Sequence, residues 1–336
     1  MKVDGNFVLI LLFLSFTSGC MKLTQLNPFI PNSSSYKSEE RTIGAWLPVT
    51  TSNYDKIVNQ ISNTSSWGGL LNVVQVLGCG WRIVDDVITL NNSEWESKTC
   101  QSVVNVIMDK DIDLHIWLGG VTNEIVKSPE KFIDSANKLL KTQPFIKGIH
   151  FDDETECAPR ANIKNFTLWL DFMNLFSEEM HKEHVLVTAA VQALFGIEDV
   201  QYLHNYPCLK DPWKYKTNKT LVNVIQHMKV DRLLEMDTYY FTLSRFLNAL
   251  DWYSKHIPLD KLGVTVANRD VNPLPNADEY LARVYAIDKS SANWWNFFDL
   301  PIDDEWLEWA WRWKTKCSGC PNMSCYDLSV SCNREF

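Results

Sequence analysis

The stretch FIKGIHFDD, residues 145–153, alternates apolar and polar side chains and ends in two aspartates. Successive side chains of a β-strand point to opposite faces, so Ile149 and Phe151 share one face while His150 and Asp152 share the other. The apolar face predicts packing against helices. The polar row predicts that the carboxyl end of this strand reaches a functional surface.

Short apolar segments alternate with helical patterns along most of the chain. Eight strand-like segments are predicted at 42–49, 71–78, 113–120, 145–153, 184–192, 232–241, 261–268 and 291–300. The helical patterns that follow them run over 53–62, 96–109, 129–142, 162–183, 220–228, 243–256, 277–288 and 303–316. Strands that alternate with helices predict a parallel sheet, and eight such units predict an α/β fold closed into a (β/α)8 TIM barrel. A doubly wound open sheet is the alternative, but no G-x-G-x-x-G follows the first strand.

Composition limits the classes of partner. The chain has 336 residues, of which 46% are hydrophobic and 22% charged, as expected for a globular protein with a core. Its net charge of −9 disfavours nucleic acid or an anionic membrane as the main partner, because both attract basic surfaces. The 14 Trp residues include candidates for stacking on sugar rings. No cofactor motif is found, and we expect none to be needed.

The ends of the chain differ in character from the barrel region. Residues 1–20 contain an apolar run that is too short to span a bilayer, which predicts a cleaved signal peptide, with an uncleaved anchor as the alternative. Residues 21–41 are polar and predict a flexible leader. The barrel is predicted over 42–316 and a disulfide-rich tail over 317–336. No other segment is expected to insert stably into a membrane.

The cysteines and glycosylation motifs agree with export. Cys20 lies in the signal region and leaves eight cysteines in the mature chain, with Cys79 near Cys100 and Cys157 near Cys208. The tail holds the other four cysteines, which predict disulfides. A zinc knuckle is the alternative interpretation of the motif CSGC in the tail. N-x-S/T motifs occur at Asn32, Asn63, Asn91, Asn165, Asn218 and Asn322. We therefore expect a secreted or lysosomal glycoprotein.

The barrel interpretation assigns a place to the acidic cluster. Catalytic residues of such barrels lie at the carboxyl ends of the strands, so Asp152 and Glu154 are expected to point into the mouth. An inward carboxylate requires a partner or a function. A role in capping the following helix is the alternative, and it suits Asp153 and Glu156 better.

The strand that ends at Asp152 resembles a family signature. The fourth barrel strand of the family 18 glycoside hydrolases, which include chitinases and endo-N-acetylglucosaminidases, carries D-G-x-D-x-D-x-E. Gly148, Asp152 and Glu154 match this pattern, whereas Lys147 and His150 stand at two of its Asp positions.

Other motifs extend the resemblance over residues 42–316. The family's S-x-G-G at the end of the third strand falls on WLGG, residues 117–120, with the Ser replaced. Its M-x-Y-D at the end of the sixth strand is rearranged to MDTYY, residues 236–240. A Trp is common at the end of the eighth strand, and NWW, residues 293–295, supplies candidates.

The resemblance implies roles for individual residues. Glu154 would be the general acid, which needs a raised pKa, and Asp152 would hold the N-acetyl group of the substrate. The carbonyl oxygen of that group would attack the anomeric carbon, so that no second catalytic carboxylate is needed. Tyr239 would bind the acetamido oxygen, and Trp294 or Trp295 would form the floor under the sugar.

Two departures from the signature affect the expected chemistry. His150 would replace an Asp that shares a proton with Asp152, either by hydrogen bonding or, if protonated, by stabilising the Asp152 anion. Lys147 is expected deeper in the barrel, where a buried lysine requires a carboxylate partner. At other strand ends, Trp46 and Trp117 are candidates either for a sugar cleft or for the core.

Alternative functions remain open at this point. Glu154 and Asp237 would serve as the two carboxylates of a different retaining or inverting glycosidase. The altered signature is also compatible with a non-catalytic carbohydrate-binding barrel. A phosphodiesterase with a divalent ion on Asp152, Asp153 and Glu154 with His150 is disfavoured, because neighbouring strand carboxylates point apart.

Two further features are expected to be structural. Trp306, Trp309 and Trp313 lie at helical spacing and predict packing against the barrel. His115 is expected to be an interior or helix-facing histidine whose hydrogen bonds are satisfied.

The preferred interpretation of the whole sequence is a secreted hydrolase of β-linked N-acetylhexosamine glycans, whose partner is an oligosaccharide.

Overall fold

The computed structural model describes residues 41–152, 166–191, 228–235, 243–267, 277–298 and 305–316. The strands are β1 (Thr42–Pro48), β2 (Val73–Leu77), β3 (Trp81–Val84), β4 (Val87–Leu90), β5 (Asp113–Gly119), β6 (Ile146–Asp152), β7 (Leu186–Val191), β8 (Arg232–Glu235), β9 (Leu262–Ala267) and β10 (Trp294–Phe298). Eight of them close into a parallel barrel in the order β1-β10-β9-β8-β7-β6-β5-β2. This confirms the predicted (β/α)8 barrel.

Helices alternate with the barrel strands as predicted. They are α1 (Tyr54–Ser62), α2 (Asn92–Trp95), α3 (Lys98–Asp109), α4 (Asn123–Lys127), α5 (Glu130–Thr142), α6 (Phe166–Lys182), α7 (Leu243–His256), α8 (Ala277–Ser290) and α9 (Glu305–Lys314), with a 3-10 turn at Trp67–Gly69. The helix predicted over 220–228 lies outside the described residues except for Met228, and so do residues 236–241 of the predicted sixth barrel strand. The leader through residue 40 and the tail from 317 also lie outside them.

A β-hairpin between β2 and α3 was not predicted. Strands β3 and β4 pair antiparallel, and the two turn residues between them, Asp85 and Asp86, both have positive φ, as a two-residue hairpin turn requires. The hairpin is fixed to α5, because the Ile88 amide donates to Ser135 Oγ at 2.8 Å. It is preceded by Cys79, which forms a disulfide with Cys100 in α3; the sequence predicted disulfides in the mature chain but did not assign this pair.

The layer between strands and helices is the larger core. Outward strand residues such as Trp295 and Phe297 are fully buried there and pack against Trp306. Trp309 and Trp313 are buried in the same cluster, which confirms the structural role predicted for the tryptophans of α9. Arg41, the last residue assigned to the leader, pairs with Asp288 at 2.5 Å, so this residue is held against the barrel.

The inside of the barrel has a different composition. A smaller apolar cluster there contains Trp46, Val73, Trp117, Ala190, Leu234 and Trp294. The remaining inward positions include buried polar side chains, namely Gln75, His115, His150, Thr188, Arg232, Thr265 and Asn296. Barrels of this kind are usually filled by branched apolar residues. The barrel interior of this protein therefore departs from the usual apolar filling.

Candidate active site at the carboxyl ends of the barrel strands

Asp152 is the last residue of β6 and lies on its inner face. The inward direction is set by its neighbours at period two: a Cβ on Gly148 would lie 2.4 Å from the His115 ring, and the His150 ring packs against Trp46 inside the barrel. Asp152 is partly buried at the mouth. Its predicted partners Glu154, Asp237 and Tyr239 lie outside the described residues.

Gly148, which matches the signature, has a steric role in this chain. The ring of His115 from the adjacent strand β5 lies directly over it, and a methyl group there would clash with three ring atoms at 2.4–2.5 Å. A glycine is therefore required wherever this histidine fills the barrel. The match to the signature at this position is explained by packing.

His150 is fully buried and held from the neighbouring strand. Its Nδ1 is 2.8 Å from the hydroxyl oxygen of Thr188 in β7. Burial, with a smaller effect of nearby His115, holds the pKa of His150 well below its ordinary value of 6.5. His150 is therefore neutral in the folded protein. Burial of the ring disfavours the alternative in which a protonated His150 stabilises the Asp152 anion.

An aromatic cluster lies directly below the mouth. The ring centroids of Trp46 and Trp117 are 6.0 Å apart, and the His150 ring lies 5.5 Å from the first and 6.2 Å from the second. Phe298 stands edge-on to Trp46 at 5.7 Å and is partly exposed. Both tryptophans point inward as the cleft interpretation requires, but they are 1% and 6% exposed, so they form the bottom of the mouth.

The two tryptophans predicted for the sugar floor lie elsewhere. Trp294 and Trp295 open β10, so they stand at its amino end, away from the mouth. Trp295 points outward and packs against Trp306 and Trp313, which corrects the prediction for this residue. Trp294 points inward but lies low in the barrel, near Arg232. The residue at the carboxyl end of β10 is Phe298, and its even spacing from Trp294 was the signal that would have identified it.

Lys147 and His115 also differ from expectation. Lys147 is exposed on the outer face of β6, because it alternates with the inward Gly148, so it needs no buried partner. His115 is interior as expected, but neither ring nitrogen has a hydrogen-bond partner among the described residues. Burial lowers the pKa of His115 to about 3, and Asp231 opposes this shift weakly.

Thr188 is a site residue that the sequence did not reveal. It carries no charge and lies in an apolar strand, LVTAAV, where a single hydroxyl gives little signal. Only the strand register shows that it stands opposite His150.

Among the described residues, no three His, Cys, Asp or Glu side chains come together as a metal-binding group. Among the helices of the same ranges, none has the length and apolar character needed to cross a membrane. A partly exposed carboxylate above buried aromatic rings suits a ligand with polar edges and an apolar face, such as a sugar.

Comparison with known proteins agrees with the fold. No family model and no curated protein matches the sequence. Among solved structures, a family 18 chitinase from Pseudoalteromonas aurantia is similar, with a TM-score of 0.55 and 14% identity over 80% of this chain and 97% of that one. A class V chitinase mutant from Cycas revoluta, solved with (GlcNAc)3, gives 0.56 and 10% over 82% and 99%. One from Nicotiana tobaccum, solved with NAG4, gives 0.55 and 12% over 87% and 100%. The chain thus has the barrel fold found in family 18 chitinases.

Proposed function

We propose that the protein is an exported glycoside hydrolase that cleaves β-linked N-acetylhexosamine glycans by substrate-assisted, retaining acid catalysis. The observation that carries this proposal is the position of Asp152, at the carboxyl end of β6 and on the inner face of a barrel with the fold of family 18 chitinases. Glu154 follows two residues later in the sequence, with the spacing of the signature.

The reaction divides between the two carboxyl groups. Glu154 donates its proton to the glycosidic oxygen as the bond from that oxygen to the anomeric carbon breaks. The acetamido oxygen of the substrate attacks the same carbon from the other face, while Asp152 orients the acetamido N–H and balances its developing charge. Water then opens the cyclic intermediate as Glu154 takes back a proton, so the product keeps the β configuration.

A neutral His150 changes this scheme in one respect. An Asp at this position would share a proton with Asp152, whereas a neutral imidazole bonded to Thr188 adds no second negative charge. Position 150 therefore places no like charge beside the Asp152 carboxylate, and any proton shared by a pair of carboxylates in the signature has no counterpart between these two residues.

The same substitution favours a second candidate, a carbohydrate-binding barrel without turnover. Loss of one acidic position weakens the case for catalysis but leaves the mouth and its aromatic rings in place. Such a protein would bind N-acetylated oligosaccharides without cleaving them.

Hydrolysis of a fluorogenic N,N′-diacetylchitobioside across pH separates these functions. We expect turnover by the wild type and its loss in Glu154→Gln, with Asp153→Asn as a matched acidic control that retains it. Equal loss in Asp153→Asn would instead favour carboxylates acting together on a metal. If the wild type is inactive, a glycan array distinguishes a binding protein from an enzyme with another sugar specificity.

A further inference from the structure

Inward side chains at the same height along the barrel axis form one level of the interior. One such level consists mostly of polar side chains that lack hydrogen-bond partners among the described residues. Strands of a tilted barrel contribute to each level alternately. The paired registers place Gln75, His150 and Asn296 at one level, with Leu234 as the fourth member. His115 belongs to the level below and stands directly opposite Gln75 across the β2–β5 pair.

These side chains are completely enclosed. Gln75, His115, His150 and Asn296 are all 0% exposed. Both polar atoms of Gln75, both ring nitrogens of His115, Nε2 of His150 and Nδ2 of Asn296 have no hydrogen-bond partner among the described residues. Trp46 and Trp117 lie at the next level toward the mouth and separate this group from it.

The four side chains cannot satisfy their polar atoms by forming ion pairs with one another. Both histidines are neutral because burial lowers their pKa values, so no ion pair forms between these four side chains. Buried amides and imidazoles without partners are rare in native proteins, and ordered water is the usual partner where several converge. A water molecule needs two to four polar neighbours, and these residues supply donors and acceptors from four strands.

We propose that Gln75, His115, His150 and Asn296 form an internal binding site for ordered water below the Trp46–Trp117 pair. The ligand is neutral, small and able both to donate and to accept hydrogen bonds. Water bound there forms a hydrogen bond with Nε2 of His150, while Thr188 forms one with Nδ1. Both ring nitrogens of the imidazole are then held in place. This site does not depend on the proposed hydrolase activity.

The replacement Gln75→Met tests the site, because methionine has a similar size and no amide. If water is bound, the change removes hydrogen bonds, and we expect the Tm to fall by about 2–4 °C. If the interior is dry, the change removes an unsatisfied amide and the Tm rises. Gln143→Met is the matched control: Gln143 is also buried but accepts a bond from Trp81 Nε1 at 2.7 Å, so its loss lowers the Tm in either case.

Water itself is measured by oxygen-17 relaxation dispersion on the full chain, which detects water molecules that stay inside the protein. We expect a dispersion amplitude in the wild type that falls in Gln75→Met and is unchanged in Gln143→Met. A rise in Tm for Gln75→Met overturns the proposal. An amplitude that Gln75→Met leaves unchanged overturns it as well, whatever happens to the Tm.

Discussion

Trp294 and Trp295 are neighbours in the sequence, yet they belong to two different cores. Trp295 lies between the barrel and α9, where its ring packs edge-on against Trp306 and Trp313 at 5.6 and 5.7 Å. Trp294 lies inside the barrel among polar side chains, 6.4 Å from the ring of His115. The outer layer is apolar and aromatic, and the inner space combines aromatic rings with amides and imidazoles.

This difference separates stability from function within one strand. The outer layer supplies apolar burial, which is the main favourable term in folding. The inner space carries buried polar groups, which cost free energy unless they are satisfied, and it leads upward to Asp152 and the mouth. We therefore expect substitutions in the outer layer to act on the free energy of unfolding and those at the top of the inner space to act on turnover.

The largest expected effect is on stability, in Trp295→Ala. Removing a fully buried tryptophan from the outer layer should lower the free energy of unfolding by about 3–5 kcal/mol. Urea unfolding followed by circular dichroism measures it. Met108→Ala is a control, because Met108 is 49% exposed and should change stability little. A loss below 1 kcal/mol in Trp295→Ala would remove the distinction between the two cores.

Asp152→Asn should lower turnover and leave stability nearly unchanged. We expect kcat to fall at least about 100-fold, because an amide cannot balance the charge that develops on the acetamido group. The free energy of unfolding should change little, since Asp152 is only partly buried. Asp134→Asn on the exposed face of α5 is the control for removing one charge. Unchanged kcat in Asp152→Asn would contradict the proposed mechanism.

The neutral interior histidines predict loss of stability in acid. His115 has a pKa of about 3 in the folded state against 6.5 when unfolded, so the unfolded chain binds the extra proton between these values. Stability is complete above pH 6.5 and falls below it, by roughly 1 kcal/mol per pH unit for one such group. His115→Gln should reduce this slope between pH 6 and pH 4. An unchanged slope would mean that the pKa of His115 is nearly the same in the folded and the unfolded chain.

His181 on the surface should show the opposite and smallest pH dependence. Its Nε2 lies 2.8 Å from Asp231 Oδ2, and this hydrogen bond raises the pKa of His181. Its contribution is complete below pH 6.5 and disappears as the pH rises through the folded-state value. His181 is 40% exposed, so solvent screening limits the effect to a few tenths of a kcal/mol. His181→Gln should be less stable than wild type at pH 5.5 and match it at pH 9.

The sequence predicted the barrel more fully than the site. Strand and helix periodicity located the elements because each strand buries one face against a helix, as Ile149 and Phe151 do. The hairpin at 81–90 was missed because its turn, Asp85 and Asp86, lacks the glycine that usually marks such turns. Thr188 and Phe298 were missed because their roles depend on strand register, which brings together residues distant in sequence. Trp295 was misassigned because two neighbouring residues of a strand face opposite sides. The sequence alone does not show which of the two tryptophans faces the inside of the barrel.

The central claim, retaining hydrolysis assisted by the substrate, is tested most directly by the anomeric form of the first product. Digestion of N-acetylated chitohexaose by the full chain, followed by proton NMR in the first minutes, reports this form before mutarotation. The account predicts that the β-anomer appears first, and that the Glu154→Gln variant releases no product. Initial appearance of the α-anomer, or no cleavage by the wild type, would contradict it.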